Sequence, residues 1–421
     1  MSSVRDDEAC TKEEKGELHS GRSVRRMEIR EAIEDDRESA SRLLWRSFEP
    51  LRRYDDVVRM EWLRAWNDHT SDNWACVAVE GDSVVSNLSF FVSDDDIIRG
   101  RPIRYAGVWA VATDPVYRRK GLVRELFELA FPRMHEKGAV LSILDPFYRP
   151  FYEKFDYAIA ETVFRHMFRR SGLRPLRPVG DLAVREVTDI DAEVDRFVEV
   201  QRAMTRFGSR CFVNRRFLRD MSRSHRAYIL EDGDDPVGTA MFAFSDARPG
   251  LILNVRLTAF KHDWVFPSIL RLVYDYSANA HQIRWVTDRI EPFRHYLAEA
   301  HAETAVRDYM MMRVLDFRGY CESINVPRDA TEPIRVEIRD QLCPWNEGVY
   351  LLTPEDGSLA CDPVSSRADI TLNAFQLSET VAGKTPATLL RALGEIDCDP
   401  STATALERIF PRDEFYSYYR F

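Results

Sequence analysis

The amino-acid sequence predicts an α/β protein whose mixed sheets are built by three successive parts of the chain. Three observations carry this prediction. A strand, a basic turn, a helix and a buried strand follow one another between residues 104 and 144, and such a crossover joins parallel strands. A second mixed segment, with a turn at 232–236 and a helix at 266–279, echoes that order. A last segment, beginning near Met310, alternates strands with helices.

The amino-acid composition excludes several classes of protein. The 421 residues are 45% hydrophobic and 30% charged, which excludes wholesale disorder. The formal net charge of −10 disfavours nucleic-acid and anionic-membrane partners, because phosphate contacts need a basic surface. The seven cysteines form no CxxC pair, so neither a structural zinc site nor a dense disulfide framework is expected. We therefore expect no metal, a cytoplasmic location and no membrane span.

The first part of the chain begins with a predicted disordered tail over 1–26, which lacks the apolar stretch of a secretory signal. Asp35 and Asp36 are candidate N-caps for the helix that follows. Apolar runs predict strands over 27–30, 74–79, 84–91, 104–112 and 140–144. Helical spacing predicts helices over 40–48 and 57–66, and a third after Gly121. Pro132 lies inside that third helix and is predicted to kink or end it.

The later parts are separated by composition. Residues 173–178 resemble a linker, and the apolar run 310–315 is predicted to be a core strand of the last segment. Strands are predicted over 237–244, 251–257, 334–338, 348–352 and 368–372. Helices are predicted over 374–382 and 385–393. The corresponding folding units are 27–171, 172–308 and 309–421.

One basic turn carries the clearest chemical signal. Arg118, Arg119 and Lys120 precede Gly121 at the start of the third helix. Unpaired N–H groups and the positive end of a helix dipole favour an anion, and the side-chain cations add to that attraction. Glycine lets a phosphate approach the backbone closely. The turn therefore predicts a pyrophosphate site, although neither GxxxxGK[ST] nor GxGxxG is present.

Residues 111–122, VATDPVYRRKGL, resemble the acetyl-CoA-binding motif of the GCN5-related N-acetyltransferases (GNAT). Val123 stands where the superfamily usually has glycine or alanine, and a larger aliphatic residue there resembles the Eis (enhanced intracellular survival) branch. Residues 151–157, FYEKFDY, and 343–348, CPWNEG, resemble two further elements of that branch. The resemblance covers residues 27–421.

This resemblance implies a three-part enzyme that takes acetyl-CoA as its co-substrate. The first part is expected to be the catalytic GNAT domain and the second a degenerate GNAT-like copy, in agreement with its missing basic turn. The third part is expected to resemble sterol carrier protein 2 and to deliver the C-terminus to the active site. The expected acceptor is a primary amine of a small molecule or peptide, and the expected assembly is a homo-hexamer.

The resemblance also assigns roles to individual residues. Tyr152 is the expected general acid, with Tyr157 as the alternative, and the α-carboxylate of Phe421 is the expected base and substrate anchor. Val111, Ala112 and Thr113 are expected to hold the pantetheine arm. The expected pyrophosphate ligands are Arg118, Arg119, Lys120, Gly121 and Leu122. The expected substrate-cavity residues are Phe48, Glu49, Trp109, Ala110 and Arg420.

Two residues restrict the size and charge of the expected acceptor. Two alternative functions are also compatible with the sequence. Trp109 is large for its place and Arg420 opposes a polycation, so both disfavour a bulky aminoglycoside. One alternative function is a carrier of lipid or apolar ligands that acts through the last part of the chain. The other is a protein that binds acetyl-CoA without catalysis.

Overall fold

The computed structural model describes residues 27–68, 73–174, 181–213, 215–290, 292–298 and 302–419. The predicted tail 1–26, most of the predicted linker, and the site candidates Arg420 and Phe421 lie outside the described residues.

The first part of the chain forms the strands β1 (Met27–Glu31), β2 (Trp74–Glu80), β3 (Ser83–Ser93), β4 (Ile97–Ile98), β5 (Arg101–Pro102), β6 (Tyr105–Thr113), β7 (Leu141–Leu144), β8 (Ala158–Ile159) and β9 (Thr162–Phe168). Its helices are α1 (Arg37–Phe48), α2 (Asp56–Asp68), α3 (Leu122–Glu136) and α4 (Arg149–Tyr152). The predicted strands and helices of this part are therefore present, with ends that differ by a few residues.

The rest of the chain continues with β10 (Ala183–Glu186), β11 (Arg210–Cys211), β12 (Arg226–Asp232), β13 (Asp235–Ala247), β14 (Gly250–Phe260), β15 (Ala280–Thr287) and β16 (Glu303–Asp308). The last strands are β17 (Met311–Val314), β18 (Ile334–Arg339), β19 (Gly348–Glu355), β20 (Ser358–Pro363), β21 (Ile370–Asn373) and β22 (Tyr416–Ser417). The helices are α5 (Ile190–Ala203), α6 (Arg215–Ser222), α7 (Phe266–Tyr276), α8 (Phe293–Tyr296), α9 (Phe317–Ser323), α10 (Ala374–Ala382), α11 (Ala387–Leu393) and α12 (Pro400–Ile409).

Two seven-stranded sheets have the same topology. The first sheet has the order β1-β2-β3-β6-β7-β17-β8, and the second has the order β10-β12-β13-β14-β15-β9-β16. In each sheet the fourth and fifth strands are parallel and every other neighbouring pair is antiparallel. The prediction of an α/β protein with two mixed sheets in tandem is confirmed.

The two sheets exchange strands. β9 follows β8 directly along the chain but pairs in the second sheet, and β17 returns to the first sheet between β7 and β8. The predicted core strand at 310–315 exists, and it pairs with β7 and β8 in the first sheet. An apolar run indicates that a strand is buried, whereas its pairing partner is decided by tertiary contacts. The boundaries at 171 and 308 stay predictions.

The last part of the chain forms a four-stranded sheet, β20-β19-β18-β21, with α10, α11 and α12 packed near it. Its strand β20 and helix α12 were not predicted. A second small sheet has the order β22-β11-β4-β5, and it brings the end of the chain against two earlier parts. One hydrophobic core joins the last part to the start of β6.

Pro132 does not end α3, which continues to Glu136, so the second of the two predicted effects, an end of the helix, is wrong. Residues on both sides of the proline, including Phe127, Phe131 and Met134, are fully buried against the first sheet. Their burial outweighs the one backbone hydrogen bond that proline cannot make. Within the described ranges, no helix has the length and apolar character needed to cross a membrane.

Candidate active site

The centre of the first sheet contains a gap between two parallel strands. β6 and β7 are paired from Tyr105, opposite Leu141, to Val108, opposite Leu144, where β7 ends. Residues 109–113 of β6 continue to pair with β3 on their other side. In the described structure, the edge of these residues that faces away from β3 has no strand partner. Backbone groups on such an edge can bind an extended ligand that carries amide groups.

A bulge shapes the start of this free edge. Ala110 has a φ of 55°, and the pairing of β6 with β3 shifts register at this point. The side chain of Asn87, fully buried on β3, donates to the carbonyl of Ala110 at 2.8 Å. Asn87 therefore holds the bulge in its turned conformation. Sequence reasoning missed this residue, although an asparagine in the middle of a buried strand was the signal for it.

The basic turn lies at the end of the same strand. Arg119 and Gly121 have φ values of 64° and 85°, and α3 begins immediately afterwards. A Cβ atom added at Gly121 would meet no atom within 4 Å, so there is space above the turn. Arg118 donates to the carbonyl of Thr113 at 3.2 Å, and Lys120 lies over the ring of Tyr117 at 4.6 Å.

The turn fits the pyrophosphate of acetyl-CoA. Arg118, Arg119 and Lys120 are exposed, and no carboxylate among the described residues forms a salt bridge with any of them. The first turn of α3 adds backbone N–H groups and the positive end of the helix dipole. The free edge of β6 leads directly to this turn, so one extended ligand can contact both.

Tyr152 lies close to the point at which β6 and β7 separate. It is the last residue of α4, and it packs in one apolar cluster with Val108 and Leu144. The rings of Phe147 and Phe151 contact it edge-on, with centroids 5.5 and 5.1 Å away. Burial, reinforced by the nearby carboxylate of Asp145, raises the pKa of Tyr152 well above its ordinary value. The phenol is therefore protonated at neutral pH.

Tyr157 has a different environment. It is completely buried, and its hydroxyl shares a hydrogen bond of 2.6 Å with the hydroxyl of Ser142 on β7. The hydroxyl of Tyr152 makes no hydrogen bond to any described residue. A hydroxyl without a partner can bind a ligand at no cost to the fold, whereas the Tyr157 hydroxyl is already part of the core.

The expected substrate residues lie on the opposite side of β6, near α1. Ala110 packs in an apolar cluster with Leu43 and Leu44 of α1, and the half-buried Trp109 covers this cluster. Phe48, half exposed at the end of α1, stacks on Trp62 of α2 with centroids 6.1 Å apart. Glu49 forms a salt bridge with Arg52 at 3.1 Å, so its charge is partly compensated.

The comparisons with known proteins agree with this geometry. Residues 28–160 match the family described as acetyltransferase (GNAT) domain, and residues 312–418 match the family described as sterol carrier protein domain. An uncharacterised N-acetyltransferase from Streptomyces avermitilis is 21% identical over 371 residues, which are 82% of this chain and 90% of the relative.

Solved structures extend the likeness to the whole fold. A GCN5-related N-acetyltransferase from Kribbella flavida has a TM-score of 0.81 at 21% identity, covering 94% of this chain and 98% of its own. The Eis1 protein from Mycobacterium abscessus has a TM-score of 0.75 at 15% identity, covering 94% and 100%. The protein is an N-acetyltransferase that contains a GNAT domain, and its fold is Eis-like. The family resemblance and the predicted enzyme class are confirmed.

The GNAT fold implies the use of acetyl-CoA and an acceptor. Val111, Val123 and Tyr152 pack in one apolar cluster, which links the free edge of β6, the start of α3 and the candidate acid. Trp62, on which Phe48 stacks, packs with Trp109 against a second cluster. Arg420 and Phe421 lie outside the described residues. No three His, Cys, Asp or Glu side chains of the described ranges are grouped as a metal site would require.

Proposed function

We propose that this enzyme, acting in the cytoplasm, transfers an acetyl group from acetyl-CoA directly to a primary amine of a small molecule or peptide. The observation that carries the proposal is the cleft between β6 and β7, because it combines a free strand edge, a basic turn and a protonated phenol. Residues 111–113 would pair with the pantetheine arm, and residues 118–122 would hold the pyrophosphate. Trp109, Ala110, Phe48 and Glu49 would border the acceptor.

Acetyl-CoA supplies the activated thioester carbonyl to this site. A backbone N–H near Val111, turned by the bulge at Ala110, would donate to the carbonyl oxygen as negative charge develops there. The neutral amine forms the new C–N bond while the C–S bond breaks. Tyr152 donates its hydroxyl proton to the departing sulfur, since a phenol is protonated at neutral pH even at its ordinary pKa near 10.

The C-terminal carboxylate of Phe421 would anchor the cationic acceptor and accept the proton that the nitrogen loses. A free carboxylate with a pKa near 3.5 is a weak base, so it would receive the proton late, directly or through water. The burial of residues 415–419, four of which are aromatic, supports this role because the last described residue, two positions before Phe421, lies in the interior.

Tyr152→Phe tests the acid. We expect kcat to fall at least tenfold while the Kd for acetyl-CoA changes less than twofold, because only the proton donor is lost. Thiol release with the best amine from a panel of aminoglycosides, polyamines, lysine derivatives and peptides gives kcat. Tyr157→Phe is the matched control, and it should lose about 1 kcal/mol of stability but keep its turnover. Full activity of Tyr152→Phe would refute the assignment.

Adding one alanine after Phe421 tests the carboxylate. The extension moves the charge by one residue while the aromatic segment stays in place, and we expect at least a tenfold loss of kcat with acetyl-CoA binding retained. An extension variant that keeps full turnover would show that the C-terminal carboxylate is not used in catalysis.

We propose that the enzyme is a homo-hexamer, and light scattering of the purified protein tests this oligomeric state.

A carrier function is the second candidate, because residues 312–418 match a sterol carrier protein domain. Binding of a fluorescent fatty acid or sterol to the full-length enzyme tests it. Saturable binding that persists in Tyr152→Phe would support a carrier role separate from acetyl transfer.

A further inference from the structure

The two segments at 151–157 and 343–348, on which part of the family resemblance rests, meet in the interior of the protein. Tyr152 of the first segment and Cys343 of the second pack in one apolar cluster. The charged side chain that lies between the two segments is Arg313 on β17, which is fully buried. A buried guanidinium is costly unless its donors find acceptors, so the partners of Arg313 show what it holds in place.

On one side, Arg313 bonds the segment that carries Tyr152. Its Nε donates to the carbonyl of Phe155 at 2.9 Å, and its Nη2 lies 3.5 Å from the carboxylate of Asp156. Asp156 has a φ of 63°, which turns the chain back, and the N–H of Tyr157 donates to the carbonyl of Tyr152 at 3.3 Å. The stretch from Tyr152 to Tyr157 is therefore a closed loop, and Arg313 holds the end of it that lies deepest.

On the other side, Arg313 bonds the turn that follows β18 in the last part of the chain. Its Nη2 donates to the carboxylate of Asp340 at 2.6 Å, and its Nη1 donates to the sulfur of Cys343 at 2.9 Å. The fully buried Asp340 also accepts from the Cys343 N–H at 2.9 Å and from the side-chain amide of Asn346 at 3.0 Å. Burial raises the pKa of Cys343 to about 12, so this thiol is neutral and Asp340 supplies the nearest compensating charge.

The turn 340–346 is fixed to the first sheet. The side-chain amide of Asn346 accepts from the Phe317 N–H at 2.9 Å and donates to the carbonyl of Leu315, just after β17, at 3.1 Å. Trp345 donates its indole N–H to the same carbonyl at 2.7 Å and stacks on His135 of α3, with ring centroids 4.6 Å apart. These contacts make the turn a rigid support for Arg313.

The outer side of Tyr152 offers less restraint. The ring of Phe147 contacts it there, but Phe147 is 71% exposed, and the Tyr152 hydroxyl makes no hydrogen bond to any described residue. The position of that hydroxyl therefore depends on ring packing and on the backbone of the loop that Arg313 holds. Misplacement of a reacting group by about 1 Å can lower turnover on the order of 100-fold.

We propose that Arg313 is a positioning residue for Tyr152, and that the turn 340–346 in the last part of the chain is the support that holds Arg313. The inference rests on the proposed role of Tyr152 as the acid. Arg313 keeps the Tyr152 hydroxyl where the departing sulfur needs its proton. The last part of the chain thereby gains a function in acetyl transfer that requires no lipid ligand.

Arg313→Lys in the full-length enzyme tests the proposal. Lysine keeps the charge beside Asp340, but its single nitrogen cannot also bond the Phe155 carbonyl as the planar guanidinium does. Arg318→Lys on α9 is the matched control, because Arg318 is exposed and pairs with Glu322 of its own helix. Thermal melts verify folding. If Arg313→Lys does not fold, Asp340→Asn decides, since its amide oxygen still accepts from Arg313 while the compensating charge is lost.

Hydrogen exchange measured by mass spectrometry reports on the loop without using activity. We expect exchange in peptides covering 148–157 to accelerate at least fivefold in Arg313→Lys and at least twofold in Asp340→Asn. Peptides covering 226–247 of the second sheet should exchange at the wild-type rate, and Arg318→Lys should match the wild type in both regions. Equal acceleration in both regions, or acceleration in neither, would overturn the positioning role.

Steady-state kinetics test whether Arg313 acts through Tyr152. We expect Arg313→Lys to lower kcat at least fivefold with an unchanged KM for acetyl-CoA, and to change kcat less than twofold when it is added to Tyr152→Phe. An equal loss of kcat in both backgrounds would overturn the proposal. Faster exchange in 148–157 with full kcat in both Arg313→Lys and Tyr152→Phe would uphold the support of the loop and refute the acid role of Tyr152.

Discussion

The two seven-stranded sheets place the same irregularity at the same point of their topology. Ala110 on β6 has a φ of 55°, and Leu257 on β14 has a φ of 50°. The parallel neighbour is last paired at Val108 in the first sheet and at Val255 in the second, so both central strands continue beyond their partner. Both sheets therefore contain the backbone framework of a cleft.

The surroundings of the two gaps differ. In the first sheet, the strand leads to the exposed basic turn and to Gly121. In the second, Asp263 lies in the equivalent turn, and the indole of Trp285 donates to the hydroxyl of Thr258 on β14 at 3.2 Å. The comparison teaches that topology alone does not make a co-substrate site. The first sheet also has an exposed basic turn and an unfilled gap, on which the proposed site depends.

Of the predicted effects on stability, the largest should come from truncating Trp285, whose indole lies at the gap of the second sheet. Trp285 is fully buried, so Trp285→Ala should lower the free energy of unfolding by about 3–5 kcal/mol. The half-buried Trp109→Ala in the first sheet should cost less than half as much. Urea unfolding measures both. Calorimetry should find one acetyl-CoA bound per chain in Trp285→Ala, as in the wild type. A second binding site in Trp285→Ala would show that only the indole closes the cleft of the second sheet.

Lowering the pH should reduce the free energy of unfolding, because His166 on β9 of the second sheet is buried. Burial lowers the pKa of His166 to about 4, while its ring bonds the hydroxyls of Thr304 and Thr287 at 2.9 Å. The unfolded chain binds the proton near pH 6.5, so this stabilisation is complete above that pH and is lost towards pH 4. Between pH 7 and 5 the loss is about 2 kcal/mol.

His166→Gln should remove this part of the pH dependence, measured as the free energy of unfolding at pH 7 and 5. The same substitution at the exposed His262 is the control. An undiminished acid slope in His166→Gln would mean that other groups carry it.

The smallest effect concerns the basic turn. Arg119→Gln keeps a polar side chain but removes the positive charge that we expect to bind the pyrophosphate, so the Kd for acetyl-CoA should rise about tenfold, measured by calorimetry. His262→Ala, in the equivalent turn of the second sheet, should leave the Kd unchanged. Equal effects of the two substitutions would contradict the difference between the clefts.

Local features were predictable because short-range patterns encode them. The helix after Gly121, the strand before it and the basic turn follow from apolar spacing and turn chemistry. The different environments of the Tyr152 and Tyr157 hydroxyls were not predictable from short-range patterns, since both are aromatic residues of one short segment. Only the structure shows that Ser142 is the partner of Tyr157 and that the Tyr152 hydroxyl has none among the described residues.

By itself, the sequence determined the class of fold, the position of the basic turn and the family resemblance. The tertiary structure decided which sheet receives β9 and β17, which gap is filled by Trp285, and how Arg313 joins the loop of Tyr152 to the turn 340–346. The physical reason is the range of the interactions. Periodicity and turn chemistry act over a few residues, whereas strand exchange and buried charge pairing join residues more than a hundred positions apart.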